Sequence, residues 1–230
     1  MKTRFPTILA PAIVAAAALV APATAATPRE LLITAAYQTT DKPAARALVD
    51  QAIAGAETIL ATRPNDRESL LQHALGIGYR AKLTRNPGDA KTSRRLFEQL
   101  VALDPRNAEF QLALGGWHLD AIADGFMTST VLGAKRDIGL AALDRSVALG
   151  GNRAFFRGIA ATMHIRLDPA NAVAVARGLA EAAAAAPAPT VLDRIVQRQS
   201  QALLVPLRAG DGKAAAKLAR TLLPFGRLAS

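Results

Sequence analysis

The sequence predicts an all-α protein, an α-solenoid of about five helical hairpins. Three observations carry this. Ala is abundant, runs of Val, Ile and Thr are scarce, and no long stretch alternates apolar with polar residues. Turn signals built on Pro, Gly, Asn and Asp punctuate the chain at helix-length intervals. One phrase recurs at long range: Leu75-Gly76-Ile77-Gly78-Tyr79 with Phe97 and Pro105, then Leu114-Gly115-Gly116-Trp117-His118 with Leu143 and Gly151. Recurrence at such a period is the mark of stacked helical units.

Residues 1–25 read as a cleavable signal peptide. Lys2 and Arg4 form the basic n-region, Ile8 to Val20 the apolar h-region, and Ala23-Thr24-Ala25 a small-residue cleavage site. Pro6, Pro11 and Pro22 argue against an uncleaved anchor, which needs about 20 clean apolar residues. No cysteine follows for lipid attachment, so a periplasmic or secreted location is expected. The mature chain, 26–230, is expected to form a single domain.

The first hairpin pairs Glu30 to Thr39 with Ala44 to Thr62 across Asp41-Lys42-Pro43. Leu48, Ile53, Ile59 and Leu60 give its second helix an apolar face. The second pairs Arg67 to Lys82, capped by Asp66, with a helix capped by Asp89 and ending at Leu103. Phe97, Leu100 and Val101 point inward there, and Asn86-Pro87-Gly88-Asp89 makes the turn. The third pairs Ala108 to Ala123 with Asp137 to Leu149, joined by a long loop from Asp124 to about Arg136. The fourth pairs Arg153 to Arg166 with Ala172 to Ala186. The fifth, Val191 to Leu207 with Gly212 to Leu223, has the position of a capping hairpin.

The recurring phrase resembles the tetratricopeptide (TPR) repeat family. Leu75-Gly76 with Tyr79, and Leu114-Gly115 with His118, match the family's first-helix pattern. Ser93, Phe97 and Pro105 match the second, and Gly139, Leu143 and Gly151 form a degenerate copy. The period departs from the family's 34 residues: Gly76 to Gly115 spans 39 residues and Pro64 to Pro105 spans 41. The Gly-Trp helix and its Leu-Gly-Ala insert are also similar, over about one repeat, to long-repeat relatives such as the periplasmic T-component of tripartite (TRAP-type) transporters. The resemblance implies a right-handed solenoid that binds a protein or peptide on a concave face lined by the first helix of each pair.

The segment Gly125 to Arg136 is the leading candidate site, because it is too long and too apolar for a plain turn. Phe126, Met127, Val131 and Leu132 require burial, and Lys135 and Arg136 are available to an anionic group. The competing reading is an extra structural turn that covers a hairpin end. Trp117, the single tryptophan, and His118 sit on a first helix, where the ring either meets a ligand or packs between repeats. Tyr79 begins a modest basic cluster with Arg80, Lys82, Arg94 and Arg95, which solvated helix faces explain, with an acidic tail in the groove as the functional alternative.

Several functions are excluded. There are no cysteines, so thiolate metal sites and Cys nucleophiles are ruled out. His118 and Asp120 point to different helix faces, so no metal and no other cofactor is expected. No G-x-S-x-G occurs, and Gly76-Ile77-Gly78 lacks a preceding strand, so neither a hydrolase elbow nor a phosphate loop is present. The net charge is +10, of which Lys2 and Arg4 supply two. The basic residues stand singly without interleaved aromatics, which speaks against nucleic acid as a partner. The expectation is a non-enzymatic protein that holds a protein or peptide on its concave face. The alternative is a carrier or transport accessory that encloses a small apolar or anionic ligand under the 125–136 segment. A pocket lined by Phe126, Met127, Leu132 and Trp117 distinguishes the carrier.

Overall fold

The structure, a computed structural model, describes residues 25–228. The leader assigned to residues 1–25 therefore lies, apart from Ala25, outside the described residues. Every regular element among the described residues is helical.

Local capping chemistry sets most helix starts. Thr27 and Glu30 form a capping box for α1 (Pro28–Ile33), which continues as a π-helical turn over Thr34–Gln38. Asp41 caps α2 (Lys42–Thr62), and Asp66 caps α3 (Arg67–Thr84). The next helix, α4 (Pro87–Leu103), starts earlier than expected. Its cap is Asn86, whose Oδ1 accepts from the Gly88 and Asp89 amides. The preset φ of Pro87 fixes that start. Asp89 instead accepts both Arg80 guanidinium bonds, at 2.7 and 2.9 Å.

Asn107 caps α5 (Ala108–Ala123). The segment expected to be a loop contains a two-turn helix, α6 (Phe126–Leu132), before α7 (Arg136–Leu149). Gly125 at φ +118° and Gly133 at φ +68° bracket it in backbone conformations that suit glycine. Coiling lets the seven residues between them satisfy their own backbone groups. The remaining helices are α8 (Ala154–Leu167), α9 (Val173–Ala185), α10 (Val191–Arg208) and α11 (Gly212–Leu222). Asp193 both completes the Thr190 capping box of α10 and accepts from Arg153 and the Phe155 amide.

Successive helices pack on one another, with α5 pairing mainly with α7 across the short α6. The first helices of the pairs also touch in series: α1 with α3, α3 with α5, α5 with α8, and α8 with α10. Glycines permit the closest approaches. A Cβ on Gly115 would stand 2.9 Å from both Gly139 O and Leu143 N of α7. A Cβ on Gly76 would strike Ile53 of α2 at 2.7 Å. The two glycines of the recurring phrase thus serve different neighbours, one the partner within its pair and the other the preceding helix.

The core changes character along the chain. Leu32, Val49, Ile53 and Ile77 dominate the first part. The last four helices meet through Ala161, Ala176, Ala180, Ala215 and Ala219 interleaved with leucines, which brings their axes close. After α11 the chain returns to its beginning. The Phe225 amide donates to Ala36 O at 2.8 Å, and its ring meets Tyr79 edge-on at 5.0 Å.

Candidate ligand cavity

A cavity of about 980 Å³, partly open to solvent, lies between helices from distant parts of the chain. Its walls combine distant segments: Leu32 and Tyr37 from α1 and its π turn, Leu75 and Tyr79 from α3, and Leu112 and Trp117 from α5. Phe155, Ile159 and Met163 of α8 face them, and Leu223 and Pro224 of the returning tail close one side. Met127, Thr128, Val131 and Leu132 of α6 complete the lining. Gly116 also lines it, and a Cβ there would meet no atom within 4 Å.

The sequence candidates divide clearly. Tyr79, Trp117, Met127 and Leu132 are brought together at the cavity. Trp117 is fixed there, because Nε1 donates to Ala90 O at 3.0 Å and the Arg94 guanidinium sits 5.6 Å from the ring centre. Phe126 opens α6, but its side chain is outside the described set. His118, Lys135 and Arg136 are not among the lining residues. His118 is buried behind the wall at 2% exposure. Its Nδ1 accepts the Lys135 amide at 3.1 Å, while Nε2 has no partner. Burial, with the nearby Arg94 charge, lowers the imidazole to about 4, so the ring is neutral near pH 7. Lys135 is the N-cap residue of α7 and Arg136 its first residue. Both side chains are exposed outside the cavity.

The expectation that α6 buries its apolar side chains holds only in part. Met127 is 74% and Val131 55% exposed, although both also border the cavity. Arg94 Nη1 donates to the Leu132 and Gly133 carbonyls, each at 3.2 Å, and so anchors the far end of α6.

Charge is confined to the two ends of the chamber. α5 has 16 residues, so it runs for about 24 Å, with Glu109 in its first turn and Asp124 just after its last. At the first end Arg29 bonds Glu68 at 2.6 Å and Glu109 at 2.7 Å. At the other, Lys82 pairs with Asp120 at 2.8 Å, and Arg166 bonds both Asp120 and Asp124. Burial alone would raise Asp120, but Lys82 and Arg166 outweigh it and hold the carboxyl below its usual range. Asp124 is pushed up, by burial and then by the charge of Asp120. Apart from these charges the walls are mostly hydrocarbon and aromatic, with Gln72, Asn86 and Thr128 as uncharged polar members. The chamber can therefore hold an apolar body while its ends meet polar groups. Among the described residues no three metal-ligating side chains cluster.

Tyr37, Arg85, the α8 residues and the tail carried no signal of their own in the sequence, because no local spacing reveals which distant segments share a chamber. No protein family, characterised protein or solved structure matches this chain.

Proposed function

We propose that this chain is an exported, non-enzymatic carrier that holds a small, largely apolar molecule in the chamber bordered by α6. The carrying observation is the cavity itself, with Trp117, Met127 and Leu132 on its wall. A groove meant for an extended peptide needs a free concave face. Here the chain's own Leu223 and Pro224 lie along that face, and Phe225 is bonded to the first hairpin. This favours an enclosed small molecule over a protein or peptide partner.

The scaffold in this reading is a right-handed TPR-like α-solenoid of five hairpins. The serial contacts of α1, α3, α5, α8 and α10 support it. Export rests on the basic, apolar and small-residue order of residues 1–25. Among the described residues no helix is long and apolar enough to cross a membrane.

Trp117 provides the test, since it is the only tryptophan and faces the cavity. Titration with 1-dodecanol should shift its emission in a saturable manner, with one site per chain. Emission that stays constant while the alcohol fails to raise the melting temperature would contradict the carrier reading.

A further inference from the structure

Six charged side chains border the cavity: Arg29, Lys82, Arg85, Glu109, Asp120 and Asp124. Five of them are engaged in ion pairs within the protein. Arg85 has no ion pair or side-chain hydrogen bond among the described residues. It stands one helical turn beyond Lys82 and therefore belongs to the Lys82–Asp120–Arg166–Asp124 end. That network holds two cations and two carboxylates, so Arg85 makes this end of the chamber net positive.

The backbone adds an independent observation. Arg85 ends α3 in the left-handed conformation, at φ 55° and ψ 36°. Glycine is the residue that fits such a helix terminus without steric cost. The chain thus places a long cation, unpaired among the described residues, in a strained position on the lining of a largely apolar chamber.

We infer that the ligand is an amphiphile with one anionic head, and that Arg85 binds the head while the apolar tail fills the chamber. This rests on the carrier reading. A guanidinium is suited to the task, because its planar fork grips a carboxylate or phosphate through two parallel bonds. The already paired Lys82 and Arg166 are left to neutralise Asp120 and Asp124, which would otherwise repel an anion.

The experiment compares wild type with Arg85→Gly using three probes of equal chain length: dodecanoate, dodecyl phosphate and 1-dodecanol. Arg85→Gly is expected to raise the melting temperature, since glycine relieves the left-handed strain. The same change is expected to weaken dodecanoate binding by about tenfold, the scale of one lost charge-assisted contact, and to leave dodecanol binding unchanged. Opposite signs in the two assays are not explained by a merely structural role. Arg85→Lys keeps the charge without the fork. Both anionic probes should bind it more tightly than Arg85→Gly and less tightly than wild type, and the ranking of the two by wild type separates a carboxylate from a phosphate head. If dodecanol binds and dodecanoate affinity is the same in wild type and Arg85→Gly, the head assignment is wrong and the carrier reading stands. If none of the probes binds wild type, both fall.

Discussion

The two sides of α5 are built to opposite specifications. Toward α7, Gly115 lets two backbones approach until no Cβ fits, and Leu119 fills the space beside it with no exposure. Toward the cavity, the very next residue, Gly116, faces open space. One helix therefore carries both a close-packed seam and the wall of a chamber. The seam holds the pair together, and the wall is left unfilled. An empty apolar volume of this size gives up packing energy that filling residues would supply, so its retention supports a binding role.

The packed parts should respond most to substitution. Asp193 is fully buried and accepts from Thr190, Arg153 and the Phe155 amide. Asp193→Ala leaves Arg153 with Glu109 alone and removes the acceptor of Thr190 and the Phe155 amide, so it is expected to cost about 3 kcal/mol by urea denaturation. Burial would raise this carboxyl, but those donors outweigh it and hold it below its normal range. Its stabilisation is thus complete above the ordinary carboxylate pKa and is lost as pH falls below it. Wild type should show that acid-side loss, and Asp193→Asn should lack this component.

Gly115→Ala comes next, at about 1–3 kcal/mol destabilising, because the added methyl must push α7 away. Gly116→Ala should have the opposite sign. Its methyl enters open space, and alanine favours the helix by about 0.5–1 kcal/mol. Equal effects at the two glycines would break the comparison. A separate test is of pH and concerns His118, held neutral behind the wall with a value of about 4. Its folded value lies below the unfolded one, so its stabilisation is present above about pH 6.5 and is lost as pH falls toward 4. Denaturation midpoints measured across that window should fall in wild type and flatten in His118→Gln.

The seam was partly legible in the sequence, and the chamber much less so. Asp66 marks a helix start because capping is local chemistry, whereas the cap expected at Asp89 is supplied by Asn86. α6 was expected as a loop, since two glycines and Thr128-Ser129-Thr130 resemble turn chemistry, yet the glycines serve as its ends. Trp117 and Tyr79 were legible as large residues on first helices. Lys135 and Arg136 were expected to serve the ligand, but the start of α7 leaves them exposed elsewhere. Arg85 was missed because its importance lies in a backbone angle and in having no ion pair among the described residues, neither of which residue spacing encodes. Similarly, α5 is apolar on nearly every side. That pattern foretells burial, but not that one buried side faces a cavity.

The central claim is that the space beside Gly116 is where the ligand resides. Native mass spectrometry of gently purified wild type and Gly116→Leu, both incubated with dodecanoate and desalted, tests it most directly. Leucine favours the helix and projects into the chamber. The account predicts one dodecanoate per wild-type chain, none on Gly116→Leu, and equal or higher melting temperature for the variant without ligand. Equal occupancy of the two proteins, or no adduct on wild type, would contradict it.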